Sequence, residues 1–334
     1  MLTPAYKFTI GQSVVDTTSK PQASTAVDLL VELDIDTPAD SFQLVLGNVN
    51  GIKPKLDDTA EIAMGYSDNG GVSTVFTGFV ARLEPSLTET RVYGSNGSAT
   101  LLRTYSDQTY EEKTAGEIVS DLCGQASVDV ANADDGITFP AYVVDGRRSA
   151  YRHILDLAGL CGFDSYIDNS GKLVFEKFTG GNAVHDFEYA KHILELEVAR
   201  SPLAASEVDA WGESPGSGRG DNAWAWLTKD FSGLKGTAGS AKPGPVLLLE
   251  RPALRTSDAA QTAAAAAFSA IESRAVRGRL LSLGRPEVTL GDAIHLLSVP
   301  DQSLNQVYQV RSVSHRITKA KGFTTAIGFR AISK

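Results

Sequence analysis

The segment KPKLDDTAEIAMGYSDNGGVSTVFTGFVARLEP, residues 53–85, has the pattern of two strands joined by a tight turn. Apolar and polar residues alternate on both sides of SDNGG, residues 67–71, and such alternation around an Asn-Gly turn is typical of a β-hairpin. A second segment, RPEVTLGDAIHLLSVPDQSLNQVYQVRSVSHRI, residues 285–317, has the same order of acidic turn, strand, polar loop and longer strand with an aromatic residue. Asp57–Asp58 of the first segment falls on Gly291–Asp292 of the second. The repeat predicts two similar β-domains in one chain; the alternative is a chance match between two unrelated hairpins.

Strand patterns occupy both ends of the chain. In residues 1–98, Tyr6, Phe8 and Ile10 alternate with polar residues, and this period of two places one face of a strand toward a core. Several short strands separated by turns are typical of a barrel or a sandwich. Strand-like sequence returns in residues 183–334, so we predict a β-domain at each end.

The middle of the chain, residues 99–182, is predicted to form an α+β insert. Thr114 and Glu117 have the spacing of a capping box, which begins a helix. The segment SAYRHILDLAGLCG, residues 149–162, has helical spacing and ends on a glycine. Two alternating strands then flank a turn at residues 168–171. We therefore expect two helices and a hairpin.

A long helix is predicted over residues 258–277. From residue 262 to the stop at 278 the sequence reads TAAAAAFSAIESRAVRG and contains five consecutive alanines, whose short side chains let a helix axis lie close to its neighbour. Thr256 supplies an N-cap and Gly278 a stop. Before this helix, residues 213–245 are rich in Gly, Ser and Pro and predict a long flexible loop.

The composition argues against several classes of protein. The 334 residues carry a net charge of −9 at pH 7, which disfavours a broad nucleic-acid surface because such a surface needs clustered Lys and Arg. No apolar run approaches the roughly 20 residues of a membrane span, and the N-terminus lacks the order of a signal peptide. We therefore expect folding in the cytoplasm. Cys123 and Cys161 follow apolar helical patterns and are expected as buried thiols rather than as a disulfide.

The sequence contains no recognisable catalytic, cofactor or metal motif. Its five histidines lack HExxH spacing, and no P-loop is present. The spacing GxSxG occurs once, as GESPG at residues 212–216, but no helical pattern follows it, as a nucleophile elbow requires. His185 and His192, seven residues apart, could share a helix face, but the residues between them do not favour a helix. His295 and His315 lie in alternating strands, where a surface or hydrogen-bonded histidine is expected. We therefore predict no catalytic residue, no cofactor and no metal site.

An ordered set of segments carries a family resemblance. The segments are VFTGFVARLEP followed by VYGSNGSATLLR, RRSAYRHILDLAGLCGF with its DNSGKLVFEKF hairpin, SEVDAWG, the alanine-rich helix, GRPEVTLGDAIHLL, and VYQVRSVSHRITKAKGFTTAIGFRA. In order and spacing the chain resembles the baseplate hub proteins of contractile phage tails and contractile injection systems. These are the late control D family and the hub half of the type VI secretion spike proteins. The resemblance covers nearly all 334 residues.

The resemblance implies a fold and an assembly. The expected fold is mainly β with an α+β insert at 99–182 and two tube-like β-barrel domains of similar fold, at 1–98 and 183–334. Three copies would form a pseudo-six-fold ring, to which each chain contributes two barrels. In tube-like barrels of this kind a helix packs flat against the barrel wall, which gives the alanine run a role.

The same resemblance implies a function and partners. The expected function is a structural, non-enzymatic hub that joins a hexameric tail tube to a trimeric spike. Expected partners are two further copies of the chain, a tail tube or tube-initiator protein, a separate spike protein and surrounding baseplate proteins, but no membrane. DNA or an effector would pass through the ring without specific binding. The protein would assemble in the bacterial cytoplasm and reside in a virion tail baseplate or contractile particle.

Two other functions remain open at this point. A receptor- or glycan-binding tail module is favoured by Trp211, Trp224 and Trp226 around the predicted loop, because exposed aromatic residues suit sugar faces and partner pockets. A cell-wall hydrolase is the other, without a supporting motif.

One acidic pattern has two interpretations. Asp28, Glu32, Asp34 and Asp36 fall at even positions and should share one strand face. This face is either a solvated outer surface or the lining of a pore, where negative charge would keep a passing molecule from sticking.

Overall fold

The computed structural model of the chain describes residues 2–19, 26–38, 40–47, 52–212, 214–215, 227–228, 235–240 and 244–333, and it is mainly β with four α-helices in these residues. The first strands are β1 (Pro4–Ile10), β2 (Ser13–Asp16), β3 (Ala26–Asp34), β4 (Ser41–Gly47), β5 (Thr59–Tyr66), β6 (Gly71–Pro85) and β7 (Glu89–Ser95). The middle contains α1 (Gly97–Arg103), β8 (Gln108–Thr114), α2 (Ala115–Gln125), β9 (Val130–Ala133), β10 (Thr138–Val144), α3 (Ala150–Cys161), β11 (Asp164–Ile167) and β12 (Leu173–Glu176). The last part contains β13 (Val184–Glu188), β14 (Ile193–Arg200), β15 (Glu207–Trp211), β16 (Ser214–Pro215), β17 (Leu227–Thr228), β18 (Gly236–Gly239), β19 (Val246–Glu250), α4 (Ser257–Arg274), β20 (Val276–Leu283), β21 (Ala293–Leu297), β22 (Val307–Thr318) and β23 (Gly322–Ala331).

One large sheet runs through both ends of the chain. Its strands follow the order β14-β20-β23-β22-β3-β4-β7-β6-β5-β1-β2, and β21 with β13 joins it beside β22. We expected two tube-like barrels. In the described part of the chain, however, the pairing closes no barrel, and β3 pairs with β22 to join the two predicted β-domains into one sheet.

The two halves of this sheet share one strand order. The first half reads β1-β5-β6-β7-β4-β3, and the second reads β13-β21-β22-β23-β20-β14. With β2 left out of the count, the first of the six strands along the chain lies beside the fourth in each half, and the second strand lies at the far end of the row. The halves differ in the direction of that first strand, since β1 is antiparallel to β5 whereas β13 is parallel to β21.

Irregularities of the strands recur at equivalent places in both halves. The register shifts at Val27 between β3 and β4, and at Leu194 between β14 and β20. It shifts again at Ala81 between β6 and β7, and at Arg311 between β22 and β23. Bulges are specific features of a sheet rather than random defects, so their recurrence supports the predicted similarity of the two β segments.

A backbone hydrogen bond also recurs. The Val80 N–H donates to the Asp58 carbonyl at 2.9 Å, and the Val310 N–H donates to the Asp292 carbonyl at 3.0 Å. The acidic turns matched in the sequence therefore occupy the same place in each half.

An aromatic ring covers a glycine at the same cross-strand place in each half. Phe42 of β4 lies opposite Gly94 of β7, and a Cβ at Gly94 would overlap the Phe42 ring. In the second half the roles are exchanged, because Phe329 of β23 covers Gly278 of β20. In both halves a phenylalanine ring thus occupies the space above a glycine that has no side chain.

The insert contains the predicted helices and hairpin. Helix α2 begins with the capping box of Thr114 and Glu117, in which each side chain accepts a hydrogen bond from the other residue's backbone N–H. Helix α3 ends at Gly162 in the left-handed conformation, with φ of 71°. Strands β11 and β12 flank the predicted turn. These local predictions are confirmed.

Helix α4 ends earlier than predicted. It begins after Thr256, whose side chain accepts a hydrogen bond from the Ala259 N–H, but it stops at Arg274 instead of residue 277. Strand β20 starts at Val276 and pairs with β14 and β23. Gly278 therefore lies in β20 and leaves room for the Phe329 ring of β23; it does not cap the helix.

The alanine face of α4 packs on a small sheet and on the insert. Ala260, Ala263 and Ala264 are fully buried, and the helix lies against β15, β18 and α3. A Cβ at Gly236 of β18 would overlap the Ala260 backbone. The Gln261 side chain donates to the Thr237 carbonyl at 2.9 Å and accepts from the Thr237 N–H at 3.1 Å. The alanines thus allow the backbone of α4 to lie close to the backbone of β18. The resemblance implied packing against a barrel wall, whereas α4 packs mainly against β15, β18 and α3.

Two hydrophobic clusters stabilise the described residues. The first lies on the buried face of the large sheet and combines residues of both halves, such as Phe8, Phe42, Phe187 and Tyr308. The second unites the insert with β15 and α4. The last part of the chain therefore contributes to both cores.

Candidate functional site

The two halves of the sheet meet at β3 and β22, and we call this pair the joint. The strands are antiparallel over Asp28–Asp34 and Ser312–Thr318, with Glu32 opposite Ser314. Val31 and Val313 point to the buried face and are at most 1 % exposed. The joint therefore combines a backbone ladder with a continuous core.

The predicted acidic face lies on β3 of this joint, and two of its four acids pair with arginines. Asp28 accepts hydrogen bonds from the Arg316 guanidinium at 2.6 and 3.1 Å. Asp34 accepts hydrogen bonds from the N–H groups of Asp36 and Thr37. Asp36 lies beyond the end of β3 and pairs with a different arginine, Arg311. The four acids therefore do not form one unpaired negative stripe.

The exposed face of the large sheet is continuous across both halves, and we call it the outer face. One row of directly paired residues crosses it from β14 to β6: Glu195, Leu281, Ala326, Ser314, Glu32, Ser41, Ser95 and Phe79. Most of these side chains are short or polar. The charges along the face are mixed, since Arg316 pairs with Asp28 and Arg82 with Glu84. The outer face therefore carries charges of both signs.

An ionic cluster with a buried centre and a partly exposed acid, Asp36, lies where the two halves and the insert meet. Arg311, the bulged residue of β22, pairs with Asp164 of the insert and Asp36 of the first half. Arg330 lies 3.6 Å from the Asp164 carboxylate and donates to Gln309 at 2.9 Å. The side chains of Arg311 and Asp164 are 10 % and 9 % exposed. We call these five residues the three-part cluster.

Burial and charge set the protonation within this cluster. Burial by itself would raise the pKa of Asp36, but the hydrogen bonds and the charge of Arg311 outweigh burial and hold this pKa below its usual value. Burial, together with the nearby Arg311 charge, lowers the pKa of Arg330 to about 10. Both residues stay ionised at neutral pH. The cluster is thus an electrostatic connection between three parts of the chain.

The histidines are held individually. His185 of β13 lies 2.9 Å from the Asp292 carboxylate, and His192 accepts a hydrogen bond from the Glu188 N–H, so the two share no helix. His295 lies 3.2 Å from Asp186. His315 is buried at the joint and hydrogen-bonded to Thr325 at 2.9 Å. Across the described ranges no three His, Cys, Asp or Glu side chains are grouped to hold a metal.

The stability of the protein is expected to fall in acid because of His315. Burial lowers the pKa of His315 to about 4, from 6.5 for the free group. Between these values the unfolded chain binds a proton that the folded chain does not, so its contribution to stability is complete above pH 6.5 and is lost as the pH falls toward 4. We expect the free energy of unfolding to drop by about 2 kcal/mol between pH 7.5 and 5 through this residue. Urea unfolding at both pH values measures the drop.

The variant His315→Gln isolates this effect. Its free energy of unfolding should change with pH by about 2 kcal/mol less than that of the original chain over the same interval. An identical pH dependence in the two proteins would contradict the assignment. Comparing the two proteins cancels the contributions of the other titrating groups.

The predicted flexible loop lies mostly outside the described residues. Of its residues, only 214–215, 227–228, 235–240 and 244–245 are described, and Trp224 and Trp226 fall outside this part of the chain. Trp211 is described and is 9 % exposed at the end of β15. Trp211 is therefore part of the packing and is not presented to a ligand.

The cysteines are buried thiols, as predicted. Cys123 and Cys161 are free, and burial raises their pKa to about 12 and about 11. Helices long and apolar enough to cross a membrane are not found in the described residues.

Comparison with solved structures shows what this fold resembles. A 43 kDa tail protein from prophage MuSo2 of Shewanella oneidensis has 14% identity and a TM-score of 0.74, and the match covers 98% of both chains. A tail protein of Neisseria meningitidis has 13% identity and a TM-score of 0.72, over 98% of this chain and 96% of that one.

A secretion-system protein has the same overall fold. It comes from Escherichia coli and is described as a type VI secretion system component with structural similarity to T4 bacteriophage tail proteins. Its identity is 11% and its TM-score 0.60, over 92% of this chain and 74% of that one. No family model and no curated protein matches the sequence. The chain therefore has a phage tail-protein fold, in agreement with the resemblance seen in its sequence.

Proposed function

We propose that the chain is a structural baseplate hub that joins a hexameric tail tube to a trimeric spike in a contractile tail or injection particle. The observation that carries this proposal is the repetition inside the sheet, in which strand order and bulges recur in both halves. A chain with two equivalent halves presents six of them when three copies surround one axis. Such a ring offers sixfold geometry to one partner and threefold geometry to another.

The fold supports the same proposal. A prophage tail protein, a tail protein of Neisseria meningitidis and a type VI secretion system component share the overall fold over nearly the whole of this chain. We infer a homotrimer with a tube or tube-initiator protein on one side, a separate spike on the other and baseplate proteins around it. The two halves, about 1–98 and 183–334, would line the ring as tube-like domains, with the insert at 99–182 outside.

The outer face of the sheet suits a lumen. Its short polar side chains and internally paired charges, such as Arg316 with Asp28, leave few strong attachment points for a passing molecule. A passing molecule would then not stick because the wall attracts it only weakly. Repulsion by a negatively charged wall, one of the two interpretations of the acidic pattern, would not be needed. We assign no catalytic residue, cofactor or metal to this function. The glycan-binding alternative loses Trp211, which is buried.

Measurement of mass and symmetry tests the proposal. The purified chain of 35.5 kDa is expected to form a species of three times that mass, alone or on addition of its spike, and electron microscopy should show a ring with six similar lobes. Placed with its tail tube protein, the ring should bind the end of the tube. A protein that stays monomeric with both partners would overturn the proposal.

A further inference from the structure

The strand edges that would join neighbouring copies can be assigned from the joint inside the chain. We propose that the last part of β6 in one copy pairs with β14 of the next copy, in the register that β22 and β3 use within the chain. This inference rests on the proposed function, because it names the contact that closes the ring.

Strand β22 is the internal template. Its first part pairs with β21, where Gln309 lies opposite Ala293. Beyond the bulge at Arg311 its second part leaves β21 and pairs with β3, where Ser312 lies opposite Asp34. One long strand thus holds its own half together and then attaches the other half.

Strand β6 has the same construction but lacks this second neighbour. Its first part pairs with β5 as far as Phe79. Beyond the bulge at Ala81, residues 82–85 pair with β7 on one side. On the opposite side, where β22 holds β3, the pairings of the described residues place no strand. Among the described residues, the edge at 82–85 is therefore open to an added strand.

Strand β14 is the counterpart of β3. Both carry a bulge near their start, and an acid follows it, Asp28 in β3 and Glu195 in β14. In the described residues β14 pairs with β20 alone and forms the end of the sheet. The side chains of Glu197, Ala199 and Arg200 are exposed. The edge of β14 that faces away from β20 therefore corresponds to the edge of β3 that pairs with β22, and no described strand pairs with it.

A second copy of the chain is the occupant that fits both edges. An open strand edge attracts another strand through its backbone groups, and charged side chains along it discourage indiscriminate pairing. The chain already contains the matching pair of edges, and it shows how that pair is arranged in one instance. Because β6 of one copy meets β14 of the next, the contact is head-to-tail, and head-to-tail contacts close into rings when their rotation allows.

The equivalence of the halves fixes the register. Arg82 follows the bulge of β6 as Ser312 follows that of β22, so Glu84 takes the place of Ser314. Counting from the bulges of β14 and β3, Ala199 takes the place of Glu32. Glu84 of one copy should therefore lie opposite Ala199 of the next.

Paired cysteines test this register. Directly opposite residues of antiparallel strands have Cα atoms about 4.5–5.5 Å apart, within the range that a disulfide spans. The double variant Glu84→Cys with Ala199→Cys is oxidised as the assembled full chain and run on a denaturing gel without reductant. We expect covalent dimers and trimers from most of the protein, and their loss on reduction.

Two control variants accompany the test. Ser314→Cys with Glu32→Cys repeats the geometry inside one chain and should form a disulfide without any increase in mass. Glu84→Cys with Glu197→Cys shifts the register by two residues and should cross-link at least several-fold less.

The outcomes separate this inference from the proposed function. Native trimers whose Glu84→Cys, Ala199→Cys form stays uncross-linked, while the internal control is oxidised, would overturn the edge assignment and leave the hub function standing. Equal cross-linking of the shifted pair would overturn the register. A chain that remains monomeric and uncross-linked in the presence of both its tube and its spike protein would overturn both.

Discussion

Replacement of Arg311 by methionine is expected to lower the free energy of unfolding by about 3–5 kcal/mol, the usual cost of removing one partner of a buried ion pair. Asp164 would remain 9 % exposed without its main cation. Asp36 would lose its partner at the same time. Because the cluster connects both halves and the insert, the loss should appear as one cooperative shift of the urea midpoint, measured by circular dichroism.

The neighbouring arginine of the same strand is the matched control. Arg316 pairs with Asp28, but its side chain is 53 % exposed, so Arg316→Met should cost less than about 1 kcal/mol. Adding Asp164→Asn to Arg311→Met should recover part of the loss, since it removes the unpaired buried charge. Equal losses for Arg311→Met and Arg316→Met would contradict the role assigned to the cluster.

Replacement of Gly236 by alanine is expected to lower the free energy of unfolding by about 3 kcal/mol, at the upper end of overpacking effects. The added Cβ would overlap the backbone of Ala260, and no change of a side-chain rotamer could remove this overlap. Strand β18 would have to move away from α4 and strain its pairing with β15. Thermal unfolding followed by calorimetry measures the change.

Gly159 provides the comparison. It lies in α3, and a Cβ there meets no atom within 4 Å. Gly159→Ala should therefore be neutral or stabilise the protein by up to about 1 kcal/mol, because alanine favours the helix. Equal free energies of unfolding for the two alanine variants would contradict the importance of the close approach of α4 to β18 for stability.

Local elements were predictable from the sequence because their signals are local. Thr114 and Glu117 carry a capping box, and Gly162 ends α3. The repetition of the two halves was visible in their alternation and acidic turns. The end of α4 was misplaced because Arg274, Arg277 and Gly278 imitate a helix terminus, whereas pairing with β14 and β23 decides the start of β20.

The joint and the three-part cluster could not be predicted. Which strand edges meet depends on geometry across the whole chain, and Arg316 is 288 residues from its partner Asp28. Arg311 lies in a bulge, which shifts the alternation of apolar and polar residues by one position between Val310 and Val313. That shift does not indicate which acids the arginine contacts. The acids near β3 were correctly placed by their period of two as far as Asp34, but the arginine partners of Asp28 and Asp36 were hidden by distance along the sequence.

The joint also has a consequence for how the chain is made. Strand β3 emerges from the ribosome long before β22 is synthesised, so during translation its edge waits without the neighbour that will cover it. Newly made chains in the same polysome carry the same bare edge and the same future partner. Pairing between β3 of one nascent molecule and β22 of another would exchange the ends of their sheets, which is domain swapping.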